Sequence, residues 1–145
     1  LNIALGSEAG VLNFTNEPRK DDNNCVDLNS DSGIKVPCVT LNSLVNEHEI
    51  SRIAVMKIDV EGFEMHVLQG ATEILNRVDS IYIEVLEHTL RKFGSSSAAV
   101  FRLLQSHGFR CFYFKDDRNN VVAFASHRPL GEWQQELVAI PDVME

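Results

Sequence analysis

The run Ile53-Ala54-Val55-Met56-Lys57-Ile58-Asp59-Val60-Glu61-Gly62-Phe63-Glu64 changes character twice, and the fold is read from those changes. Ile53 to Ile58 is nearly continuous apolar sequence, as expected of a strand covered on both faces in a parallel sheet. Asp59-Val60-Glu61-Gly62 is an acidic turn. Beyond it Phe63, Val67, Gly70, Ala71, Ile74 and Val78 recur three or four residues apart. That spacing predicts an amphipathic helix ending near Arg77. Ser80-Ile81-Tyr82-Ile83-Glu84-Val85-Leu86 then reads as a second buried strand. Strand, turn, helix and strand make a parallel crossover unit, which is expected to be right-handed.

Downstream, a helix is expected from Ser97 to Ser106, with serines at its start and Gly108 as its terminator. Phe109 to Phe114 and Val121 to Ala125 flank the polar stretch Lys115 to Asn120, which predicts an antiparallel hairpin at the sheet edge. Upstream, Val36 to Thr40 is extended, and a helix begins at Leu41 behind Thr40 or Asn42 as cap. Thr15 to Lys35 is too polar to bury much surface and reads as a loop. Leu1 to Leu5 and Val11 to Phe14 are strand-like and bracket a glycine-bearing turn. Parallel strands with helices, closed by a late antiparallel hairpin, point to a doubly wound α/β sheet spanning residues 1–145 as one domain. Because Leu1 opens directly into strand-like sequence, a further segment is expected upstream.

Composition narrows the function classes. The chain has 145 residues, of which 44% are hydrophobic and 23% charged, enough for one packed core. Its formal charge of −8 arises from 21 acidic against 13 basic residues, with no basic patch to neutralise phosphates. Nucleic acid is therefore disfavoured as a partner. No apolar run approaches the roughly 20 residues a bilayer span needs, so no membrane partner is expected. Three cysteines at long spacings form neither a disulfide framework nor a zinc pattern, which suits a reducing, cytoplasmic setting. Oligomeric state is not legible.

In open α/β sheets ligands bind beyond the carboxyl ends of the strands. Two such ends are acidic here: Asp59, Glu61 and Glu64 after the first, and Glu84, Glu87 and His88 around the second. If the two strands are neighbours, these groups share one crevice.

The segments Val36-Pro37-Cys38-Val39-Thr40-Leu41-Asn42-Ser43-Leu44, Lys57 to Glu64, Val67-Leu68-Gln69-Gly70-Ala71 and Ile81-Tyr82-Ile83-Glu84 together resemble the FkbM family. The resemblance covers nearly the whole chain, and its most specific part is Lys57 to Ala71. It implies a Rossmann-like class I methyltransferase sheet, mostly parallel with a C-terminal antiparallel hairpin. It also implies S-adenosyl-L-methionine as cofactor and methyl transfer to a hydroxyl of a sugar or other small molecule. Two departures stand out. No G-x-G occurs, and the eight glycines are isolated, so the glycine-rich cofactor loop and the first strand-helix-strand unit are expected upstream. This piece alone is then expected to be inactive. Asn42 stands where the family commonly has Asp.

On this reading Asp59, Glu84 and His88 are the catalytic candidates, able to take a hydroxyl proton. Leu5, Gly6, Ser7 and Asp59 are the cofactor-binding candidates, and Glu61 and Glu84 the substrate-binding ones. Each has a structural alternative. Asp59, Glu61 and Glu64 suit the first turn of a helix on dipole grounds alone. Gly6, Ser7 and Gly62 can be simple turn residues. Glu84 could pair with Lys57, Lys57 with Asp59, and His88 could be a surface or capping residue. His66 has no second ligand at helical spacing and no zinc site is expected. Two other functions remain in view. One is a metal-dependent glycosyl- or phosphoryl-transferring enzyme using Asp59 and Glu61, although an Asp-x-Asp phosphatase motif would need Thr or Val where Phe63 stands. The other is a non-catalytic fragment.

Overall fold

The computed structural model describes residues 2–15, 25–27, 33–114, 122–127 and 137–139. Most of the expected 15–35 loop and the hairpin turn 115–120 lie outside the described residues. The chain forms β1 (Ala4–Leu5), β2 (Gly10–Phe14), β3 (Ile34–Val39), α1 (Leu41–Glu47), β4 (Ile53–Ile58) and α2 (Glu64–Gln69). There follow β5 (Val78–Glu84), α3 (Glu87–Leu90), α4 (Ser97–Ser106), β6 (Arg110–Phe114), β7 (Val122–Ser126) and β8 (Leu137–Ala139). Single 3-10 turns at Leu75–Arg77 and Arg91–Phe93 lead into β5 and out of α3.

The strands make two sheets. In the smaller, β3 is central, with β1 parallel on one side (Leu5 beside Val39) and β2 antiparallel on the other (Gly10 beside Cys38). The larger runs β4-β5-β7-β6-β8. Only β4 and β5 are paired in parallel within it; β5 with β7, β7 with β6 and β6 with β8 are antiparallel. The expectation of a mostly parallel sheet is thus corrected: the architecture is α/β with mixed sheets. Two strands run against the others, β7 and β8. β7 turns back and inserts between β5 and β6, so β4, β5 and β6 share a direction while the pairs across β7 are reversed. The hairpin accordingly lies inside the sheet, and β8 takes the edge.

Packing follows the apolar pattern closely in the centre. Val78, Ile81 and Ile83 of β5 are buried, together with Leu68, Ile74, Leu75, Leu90, Val100 and Leu104 from the surrounding helices and turns. α4 begins at the N-cap Ser96, whose hydroxyl accepts the Ala99 N–H at 3.2 Å, and it ends before Gly108 at φ 83°. β4 departs from expectation: Ala54, Val55 and Lys57 are exposed and only Met56 and Ile58 are buried. Its outer edge carries no strand among the described residues, and the face that bears Val55 and Lys57 is exposed.

The expected helix from Phe63 to Arg77 is also interrupted. α2 stops at Gln69, and the chain continues through turns to the 3-10 turn at Leu75. The Gly70 carbonyl leaves the helical pattern to accept the Asn42 N–H at 2.8 Å, and Asn42 Oδ1 accepts the Glu73 N–H at 3.1 Å. The backbone of Gly6 presses against Gly70 so closely that any side chain there would collide. Tertiary docking of α1 and β1 overrides the local period. Asn42 makes the contact a carboxylate oxygen would make, so the departure from Asp preserves it.

All three cysteines are free, and burial pushes the Cys111 thiol up to about 11. Among the described residues no helix is long and apolar enough to cross a membrane.

Candidate active site

Parallel register sets the site. Ile58 lies beside Ile83, so the next residues, Asp59 and Glu84, leave the carboxyl ends of adjacent strands together. Glu61 joins them from the turn that follows. Carboxylate oxygens of Asp59, Glu61 and Glu84 all lie within 4.8 Å of one another. Of the six groups expected to share one crevice these three meet, whereas Glu64 turns back onto the Val60 and Gly62 amides and Glu87 and His88 lie on α3 beside Ser97.

The turn that delivers Glu61 is strained. Glu61 has φ 54° and Gly62 φ 105°, and a non-glycine residue in the left-handed region costs on the order of 1 kcal/mol or more. Three contacts hold it. The Phe63 N–H donates to Val60 O at 3.2 Å. Gly62 backs onto α3 so tightly that a β-carbon would lie 2.5 Å from the Thr89 carbonyl oxygen. Glu64, only 1% exposed, turns back so that its Oε1 accepts the N–H groups of Gly62 at 3.0 Å and Val60 at 3.3 Å. The sequence offers Glu64 as one of the acids of the shared crevice, with a helix-start role as the alternative. Its fold-back was foreshadowed by its place two residues after a glycine and four after Val60, within reach of both amides.

Electrostatics distinguish the acids. Lys57 Nζ lies 2.8 Å from Asp59 Oδ2, the ion pair considered from the sequence. The hydrogen bond and charge of Asp59 hold the Lys57 ammonium above its ordinary range. Glu84 is pushed up from the usual carboxylate range, first by burial and then by the negative charges of Asp59, Glu61 and Glu64, with Lys57 opposing.

Beside these acids opens a cleft of about 690 Å³, walled by Leu5, Phe14, Val26, Met56, Val60 and Phe63 and carrying Lys57, Asp59 and Glu61. It lies between the smaller sheet and β4. Leu5 faces it. Gly6 does not: it is buried, donates its N–H to Val39 O at 3.1 Å and is wedged among Cys38, Phe63 and Gly70. Ser7 is exposed and is not among the residues that line the cleft. His88 is exposed on α3 and borders a separate hollow with Glu87, Arg91, Ser97 and Phe101. His66 stacks on Phe63 with ring centroids 4.1 Å apart and meets the edge of Phe93, a packing role that burial reinforces by lowering its pKa.

An α/β fold with acids gathered at adjacent strand ends marks a ligand-binding class of sheet without naming its reaction. Comparison with known proteins narrows it. The model of the methyltransferase FkbM domain matches residues 3–111, and the chain belongs to that family. A hexuronic acid methyltransferase, AglP of Haloferax volcanii, is 28% identical over 85 residues, covering 59% of this chain and 35% of the relative. The chain thus matches about a third of that protein's length. No solved structure matches the chain.

Proposed function

We propose that this chain is the acceptor-facing part of an S-adenosylmethionine-dependent O-methyltransferase. The observation that carries the reading is the convergence of Asp59, Glu61 and Glu84 at the ends of β4 and β5 within the FkbM-type domain. The shared direction of β4, β5 and β6, with β7 reversed between β5 and β6 and β8 reversed at the far edge, suits one half of a Rossmann-like class I sheet. The bare edge of β4 is where a strand from the first strand-helix-strand unit would add. The donor set also suits the cofactor. Asp59 offers a carboxylate to an ammonium, a sulfonium or ribose hydroxyls, and Leu5 and Phe63 offer apolar walls.

S-adenosylmethionine would supply an activated methyl group on its sulfonium. The chain's own task is then alignment and proton removal. Glu84 stands at the crevice with its basicity raised, and it is the group placed to accept the acceptor hydroxyl's proton, worth roughly 10²–10⁴-fold. Lys57 orients Asp59. Glu61 and Glu84 accept hydrogen bonds from hydroxyls of the acceptor. His88 is the lesser candidate, being turned toward its own hollow.

The relative is named for a hexuronic acid. A crevice of carboxylates opposed by one lysine repels an acceptor's own carboxylate, so the reacting part of the acceptor is a neutral hydroxyl, as on a sugar. Calorimetric titration of S-adenosylhomocysteine into residues 1–145 and into a chain extended upstream tests the reading. Binding to the extended chain alone, followed by methylation of a neutral hexose in preference to the matching uronic acid, is the expected result. No binding to either chain overturns it.

A further inference from the structure

We propose that Glu64 is a positioning residue, whose folded-back carboxylate sets the acidic turn so that Glu61 and Asp59 meet Glu84. The inference rests on the reading of that crevice as the reaction site. Glu64 is the first residue of α2, yet it is 1% exposed rather than pointing to solvent. Burying a carboxylate is expensive unless its hydrogen bonds repay the loss of water. Here Oε1 bridges two amides of the turn, Val60 N–H and Gly62 N–H, while Oε2 is buried with no hydrogen-bond partner.

Both hydrogen bonds that offset the burial go to the turn, so the turn is what the carboxylate fixes. The two bonds straddle Glu61, the residue held at φ 54°. Fixing the N–H before Glu61 and the N–H after it fixes the direction of its side chain. The Thr89 carbonyl behind Gly62 closes the other side, so the turn cannot relax by backing away. Glu64 therefore acts through Glu61 and Asp59. It is not itself among the carboxylates whose oxygens converge.

Reach, not charge, is the property this role demands, and that makes it testable in the intact protein. Glu64→Gln keeps an oxygen at the same distance and should retain most of the turnover. Glu64→Asp keeps the charge but is one methylene too short, and like Glu64→Ala it should lower kcat about tenfold to a hundredfold, the scale of a misplaced reacting group. Turnover is read per S-adenosylhomocysteine-binding site, so unfolded protein does not count, and the Gln and Asp variants decide the matter even if the Ala variant fails to fold. Equal kcat for Asp and wild type overturns the proposal, and so does a Gln variant as inactive as Ala, which would make Glu64 a proton acceptor. Asp59→Asn and Glu84→Gln run alongside separate the two levels. If both keep full turnover, the crevice itself is not the reaction site; if both lose it while Glu64→Asp does not, only the role of Glu64 falls.

Discussion

The backbones of Gly6 and Gly70 touch: a β-carbon on Gly70 would come within 2.0 Å of the Gly6 carbonyl oxygen. The contact joins the end of β1 to the end of α2, and the Gly70 carbonyl is held at the same point by the Asn42 N–H. Both partners are backbone and neither can swing aside. Gly70→Ala should therefore destabilise the protein at the upper end of, or beyond, the about 1–3 kcal/mol typical of overpacking. A urea melt measures this. An unchanged midpoint would mean that the smaller sheet does not sit on α2 as described.

Glu84 links stability to function through pH. Its pKa is raised in the fold by burial and by Asp59, Glu61 and Glu64. Between the ordinary carboxylate value and the raised one, the folded protein binds more protons than the unfolded chain, so stability falls as pH rises through that window. Below the ordinary value there is no penalty, and above the raised value it is fully present. Glu84→Gln removes it. The variant should melt slightly higher than wild type at pH 7 and equally at pH 3 to 4, while turnover falls roughly 10²–10⁴-fold. A variant that melts lower at pH 7 contradicts the electrostatic account.

Much of this arrangement was legible in the sequence because local chemistry decided it. Ile53 to Ile58 and Ser97 to Ser106 appear with the expected bounds, since a nearly continuous apolar run and a serine-capped, glycine-ended period leave little choice. The meeting of Asp59 with Glu84 followed from parallel neighbours with matched ends. What was not legible depends on distant chain. The period from Phe63 to Arg77 could not reveal that Asn42 and Gly6 would claim Gly70. Strand spacing could not show β7 slipping between β5 and β6. Nor does the sequence reveal that Phe63 and Cys38 pack on Gly6.

Three carboxylates within 4.8 Å could also hold a divalent cation. Here a cation of the chain's own is already present, with Lys57 Nζ on Asp59 Oδ2 at 2.8 Å. Divalent-metal binding would have to displace that ammonium and seat beside it against its charge. Turnover should accordingly survive dialysis against excess EDTA. A loss restored by Mg²⁺ or Mn²⁺ would instead support a metal-assisted transferase built on Asp59, Glu61 and Glu84.

The bare edge of β4 offers a test of the proposed half-domain organisation. Val55 is 62% exposed here, and such a residue on an unpaired edge invites association with other strands. In residues 1–145, Val55→Lys should change stability by no more than about 0.5 kcal/mol, as surface changes do, and should reduce aggregation. With an upstream strand and its helix packed over β4, the same lysine would be buried without a partner, a loss of several kcal/mol. Denaturant melts of the variant in both lengths of chain make the comparison. Equal tolerance in both would mean that nothing upstream covers β4, and the proposed half-domain organisation would fail with it.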